Sequence, residues 1–153
     1  MAVWVVRAGS RGEQEQIAID NDLVTIAWNE LPDLSGITTR EALADLYRQT
    51  NTDASPNKVT NHVGQVWAFR ERIKEGDLAV LPLHIQSAIA IGKITSHYKY
   101  RTDLGSEVLH TRSVEWIRTD IPRTSFDQDI LYSFGAFMTV CQVKRNNAEE
   151  RQL

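Results

Sequence analysis

The chain has one cysteine, Cys141, in 153 residues, so no intrachain disulfide can form and nothing points to an oxidising compartment. No apolar run approaches the ~20 residues needed to cross a bilayer. The opening Met1-Ala-Val-Trp-Val-Val6 lacks the basic n-region and cleavage site of a secretory leader and reads as a strand. These absences suggest a cytoplasmic protein with no membrane partner. The histidines His62, His84, His97 and His110 show neither H-x-x-H nor H-E-x-x-H spacing, so with one thiol no metal site and no cofactor is expected. G-x-S-x-G and the Walker A loop are also missing. A basic excess is missing too, since the formal net charge of −3 argues against a non-specific polyanion binder. Cys141, inside the apolar run Phe137-Met-Thr-Val-Cys141, reads as a small buried hydrophobe.

What is present fits a single domain with one core. Residues 1–143 hold the periodic segments, and 144–153 form a polar tail or linker. Val3 to Arg7 reads as a strand, interrupted by Ala8-Gly-Ser-Arg-Gly12, whose glycines allow close backbone approach. Gln14 to Asp20 reads as a short strand and Leu23 to Trp28 as the next. With no helical pattern after Gly12, a phosphate-binding glycine loop is not expected. Thr38-Thr-Arg-Glu41 is a capping box opening a helix through about Arg48. Ser55-Pro56 is an N-cap with proline at the first helical position. The helix it starts runs to about Ile73, with Val59, Val63, Val66, Trp67 and Ile73 at helical spacing; Trp67 and Phe69 read as core. Strands follow at Leu78–Leu83, Ala88–Thr95 and His110–Arg118. Gly92 suggests a bulge or close packing against a neighbour. A short helix from Ser125 and a last strand, Ala136 to Val143, complete the pattern. The fold class is α+β: a curled, mostly antiparallel sheet or partly open β-barrel of about six strands with flanking helices.

Leu23-Val-Thr-Ile-Ala-Trp-Asn-Glu-Leu-Pro-Asp-Leu-Ser35 carries the clearest functional signal. A β-rich run delivers Trp28 to the lip where the strand stops, and Asn29, Glu30 and Pro32-Asp33 are loop chemistry. Two readings are open. Tryptophan is buried on average wherever it sits, and a tryptophan at a strand lip also presents a face on which a nucleobase stacks. Lys93, His97, Lys99, Arg101, His110 and Arg112 fall in a span with few acids, and Arg7 and Arg11 flank the first loop. That span reads either as a localised basic face for phosphates or as a protected strand edge.

Catalytic patterns are poor. Asp127 and Asp129 lie at a helix start, where acids are expected. Gln142-Val-Lys144 has the Gln-x-Lys spacing of some metal-dependent nucleases, but Asp129 belongs to a helix and no second acidic ligand is evident. The domain is expected to be non-catalytic.

Trp4-Val-Val-Arg-Ala-Gly9, Thr25-Ile-Ala-Trp-Asn-Glu-Leu-Pro-Asp-Leu-Ser35, Val66-Trp-Ala-Phe-Arg-Glu-Arg-Ile-Lys-Glu-Gly-Asp77, Ile91-Gly-Lys-Ile-Thr95, Tyr98-Lys-Tyr-Arg101 and Val114-Glu-Trp116 together resemble the N-terminal domain of Mrr-like modification-dependent restriction endonucleases. That domain is similar to the EVE and YTH domains of the PUA superfamily. The resemblance implies a DNA-binding module that takes a flipped, methylated or hydroxymethylated base into an aromatic pocket, targeting a nuclease domain that follows it in the full-length protein. It implies Trp28 as one wall, with Gly9, Ser10 and Asn29 lining the pocket. The second tryptophan wall of YTH domains has no counterpart here; Leu109, His110, Tyr98 and Tyr100 stand near its place. His84 offers a further polar group, and Arg7, Arg11, Lys93, Lys99, Arg101 and Arg112 would face the nucleic-acid backbone. An RNA-binding PUA-like domain and a nucleoside or small-molecule sensor of a defence effector are the alternatives.

Overall fold

A computed structural model describes residues 1–9, 12–84, 86–125 and 138–143. The short helix expected from Ser125, the carboxylates Asp127 and Asp129, Lys144 and the polar tail lie outside these residues, as do Ser10 and Arg11. In chain order the elements are β1 (Val3–Val6), α1 (Glu15–Asp20), β2 (Leu23–Ile26), α2 (Arg40–Thr50), α3 (Pro56–Trp67), a π-helical turn (Ala68–Arg72), β3 (Leu78–Pro82), β4 (Ala88–Tyr100), β5 (His110–Pro122), a 3₁₀ turn (Arg123–Ser125) and β6 (Val140–Gln142). The six strands form one open sheet in the order β2-β5-β4-β3-β1-β6. β1 and β3 run parallel, and the remaining neighbours are antiparallel.

β1 and β3 are buried at every position, as a strand covered on both faces must be. One face packs Trp4, Val6, Val24, Ile26 and Ile94 against Leu43 and Tyr47 of α2 and Val59, Val63 and Val66 of α3. The other carries Val3, Val5, Val80 and Ile91; a third cluster gathers Leu23, Leu81 and Ala90 with Ala18 of α1. β4 changes character midway. Ala88 to Gly92 is wholly buried, whereas from Lys93 onward buried and exposed positions alternate, the period-two signature of a sheet covered on one face. No helix among the described residues is long and apolar enough to cross a membrane.

The caps form for the reasons expected, with one shift. Ser55 Oγ accepts from the Lys58 amide at 3.2 Å ahead of Pro56. In α2 the capping residue is Thr39 rather than Thr38, its Oγ1 accepting from the Ala42 amide at 3.1 Å. Gln14 to Asp20 is not a strand. Glu15 and Ala18, three positions apart, turn inward together, a helical period that six residues make hard to separate from alternation. A helix therefore does follow Gly12, but it is a short one. The long helix from Pro56 also changes at Trp67: the Ile73 amide bonds to the Ala68 carbonyl at 2.9 Å, five residues back, which widens the last turn. Phe69 is fully buried, while Trp67 is half-buried. Cys141 is half-buried on the edge strand.

Gly92 is the close-packing site anticipated. It faces Trp116 on β5, and register shifts lie next to it. A β-carbon there would stand 2.9 Å from Trp116 Cε3 and 3.3 Å from the Glu115 carbonyl. The indole cannot easily retreat, because its Nε1 donates to the Ala18 carbonyl at 3.3 Å. Gly92→Ala is expected to cost about 1–3 kcal/mol through overpacking, read as a lower urea midpoint with an unchanged slope.

Candidate functional site

β2 ends at Ile26, which pairs with His110 at the start of β5. The chain then turns so that the Trp28 carbonyl meets His110 Nε2 at 2.9 Å. A carbonyl only accepts, so the imidazole proton sits on Nε2 and Nδ1 presents a lone pair. The Tyr98 hydroxyl, 2.6 Å from Nδ1, therefore donates, and in turn accepts from the Leu34 amide at 3.2 Å. These bonds form a single directed chain from the loop after Trp28, through Tyr98 and His110, back to Trp28. His110 is fully buried. Desolvation lowers its pKa, only partly offset by the carbonyl bonds and by Glu30 and Asp33. Burial likewise raises the Tyr98 hydroxyl well above its usual range.

A second histidine holds the indole. Trp28 Nε1 donates to His62 Nδ1 at 3.1 Å, so this imidazole is neutral as well, and the Tyr47 hydroxyl, 2.9 Å from the same nitrogen, must also be a donor. Burial, with Lys58 nearby, lowers the His62 pKa against an opposing effect of Glu30. The His62 and Trp28 rings meet at 75° with centroids 5.2 Å apart. His62 thus grips the N–H edge of the half-buried indole and leaves its two faces to other neighbours.

Beside Trp28, Asn29 Nδ2 donates to Glu107 Oε2 at 3.3 Å. Flipping the amide would set its oxygen against that carboxylate, so the orientation is fixed by charge. Asn29 Oδ1 is left buried with no hydrogen-bond partner. A buried acceptor without a donor is costly and is uncommon enough to need a reason.

The structure brings together Trp28, Asn29, Tyr98, Tyr100 and His110, with the Tyr100 ring 5.5 Å from His110. It does not bring Gly9 and His84 into that group. Both follow the carboxyl ends of the parallel pair β1 and β3, whereas β2 runs in the opposite sense, so Trp28 leaves at the other end of the sheet. There the buried Glu15 carboxylate accepts from the His84 amide at 2.9 Å and lies 3.1 Å from its Nδ1. Ser10 and Arg11 lie outside the described residues.

The expected phosphate-facing side chains also divide. Lys93 and Lys99 are exposed on the same face of β4. Arg101 is half-buried and held by both oxygens of Asp103 at 3.0 and 2.7 Å. Arg7 is half-buried, and desolvation lowers its pKa. Arg112 departs from the expectation of a surface cation. At 1% exposure it is a core residue, donating from Nε to the Ser96 carbonyl and from Nη1 to the Phe69 carbonyl, both at 2.9 Å. The inward phase of β5 at this position removes it from any surface phosphate.

Sequence reasoning missed His62, Tyr47 and Glu107. For His62 a signal existed, since it falls on the apolar stripe of α3 between Val59 and Val66.

Two neutral histidines impose a pH dependence. Both have pKa values lowered by folding, so below the usual imidazole value of about 6.5 the unfolded chain takes up more protons than the folded one. The stability they allow is complete above that value and is lost as pH falls through it toward the lowered folded values. Urea titrations at about pH 7.5 and about pH 5.5 should give a lower midpoint at the acidic value, and the Trp28 indole N–H resonance should move with it.

The chain belongs to the family described as a domain of unknown function, DUF8426, whose model matches residues 4–139. No curated protein matches it.

Proposed function

We propose, for a chain whose family carries no assigned activity, that it is a recognition module for a chemically modified base in double-stranded DNA. In this reading the sheet is PUA-like, of the EVE/YTH type, and the module brings a nuclease to modified DNA without itself being catalytic. The observation that carries the reading is the buried, unpartnered Asn29 Oδ1 directly after a half-buried indole whose N–H edge is held by His62. An extruded base would stack on the exposed part of the indole and, if it carries an exocyclic amino group as adenine or cytosine does, would supply a donor for the amide oxygen. Of the donors a base can offer, ring N–H or exocyclic amino group, this reading assigns the amino group of adenine or cytosine to that oxygen.

Magnitudes support a reader that depends on its pocket rather than on charge. Extruding a base costs a few kcal/mol; stacking returns about 1–3 kcal/mol and one satisfied hydrogen bond about 0.5–1.5 kcal/mol. These nearly cancel, so burial of an added methyl, ~0.8 kcal/mol, decides occupancy. Backbone attraction is modest, because Lys93, His97 and Lys99 are the exposed members of the basic span and Glu30, Asp33 and Glu107 lie beside the site.

Trp28→Ala should lower affinity for duplexes carrying a methylated or hydroxymethylated base by roughly 5- to 150-fold, the loss of about 1–3 kcal/mol of stacking. Because Trp28 is half-buried, stability should fall by less than the ~3–5 kcal/mol of a fully buried aromatic. Asn29→Ala should keep the fold and reduce preference for amino-bearing over keto bases. Equal, weak binding of modified and unmodified duplexes by the wild-type chain would refute the reading.

A further inference from the structure

A cavity of about 340 Å³ opens between the π-helical turn and the second half of β4. Its wall carries three full cations, Arg70, Lys74 and Arg112, against one carboxylate, Glu71. Arg70 is already committed: Nε and Nη2 donate to the Leu34 and Ser35 carbonyls and Nη1 to Glu71. Glu71 also holds Lys74 Nζ, at 3.7 Å.

Arg112 is different. It is 1% exposed, and no carboxylate lies within ion-pair distance of it among the described residues. Its two hydrogen bonds go to neutral carbonyls and use Nε and Nη1. Nη2 has no partner among the described residues, yet it is not one of the polar atoms sealed from solvent without one. The opening available to it is the cavity that Arg112 lines. Asp77, Glu75 and Glu71 act on Arg112 only at longer range. The oxygens of Asp77 are engaged by the Ala2 and Lys74 amides and the Trp4 indole.

A buried guanidinium without a counter-ion is expensive, and removing it from water is repaid only by a well-placed anion. Here the protein supplies the cation, one free N–H edge and the hollow beside it. We propose that this cavity binds a phosphate-type dianion through Nη2 of Arg112, with Lys74 at its mouth. The chemistry is that of a phosphate monoester or a backbone phosphate, since a planar guanidinium edge and an ammonium suit tetrahedral oxyanions. The site is separate from the base-reading role proposed for Trp28 and does not depend on it. Tyr98 nonetheless joins the two, because its ring lines the cavity while its hydroxyl bonds to His110.

The test titrates the full chain with inorganic phosphate, against chloride at matched ionic strength, following thermal midpoint and the side-chain ¹⁵Nε resonance of Arg112. Phosphate is expected to raise the midpoint beyond chloride and to shift that resonance. The effect should vanish in Arg112→Met and weaken several-fold in Lys74→Gln. Should Arg112→Met not fold, Lys74→Gln and the Arg112 resonance decide the matter. A response no larger than that to chloride, or one undiminished in the variants, overturns the proposal. Unmodified DNA that displaces phosphate identifies a backbone phosphate as the natural source; DNA that leaves the Arg112 resonance unmoved identifies a free phosphate compound. Trp28→Ala should leave the phosphate response intact, so failure of the base-reading role and failure of this one are distinguishable.

Discussion

The proton on Nε2 of His110 sets the arrangement around it. Given to the Trp28 carbonyl, it obliges Nδ1 to accept from Tyr98, and this leaves the tyrosine oxygen to receive the Leu34 amide. Three separate elements, the end of β2, the end of β4 and the loop toward α2, are thereby fixed by a single tautomer. A charged imidazole would have a donor at both nitrogens and would break the sequence at Tyr98. Burial keeps it neutral, so the core and the candidate site share one electrostatic requirement.

His62 repeats the logic from the helical side. Its Nδ1 receives two donors, Trp28 and Tyr47, tying α2, α3 and the lip of β2 to one atom. Trp28 is thus held at its polar edge and its backbone carbonyl, and its ring also packs on the core.

How much of this was legible follows from the range of the interactions. The strand lip at Trp28 and the Ser55-Pro56 start are local signals, read from a few neighbouring residues, and they hold. Gly92 was legible as a close approach because no other residue explains a gap in so apolar a strand. Arg112 was not. Its sequence neighbourhood is polar and basic, and what draws it inward is a pair of carbonyls, on Ser96 and Phe69, 16 and 43 residues away. The Phe69 carbonyl comes from the π-helical turn, which the apolar spacing of α3 does not announce. The separation of Gly9 and His84 from Trp28 was likewise invisible, because it depends on the direction of β2 in the sheet and not on any residue in those loops.

The position of β1 has a temporal consequence. It lies between β3, its parallel neighbour, and β6, the last described strand. β1 therefore pairs only with strands far along the chain, and each of its ladders closes across a long stretch of intervening residues. Such non-local pairing slows assembly and prolongs the interval in which Val3-Trp-Val-Val6 is an unpaired apolar edge. Protection of that strand during synthesis falls to whatever covers it in the meantime, and α2 and α3, made well before β6, supply the earliest apolar surface on which Trp4 and Val6 can rest.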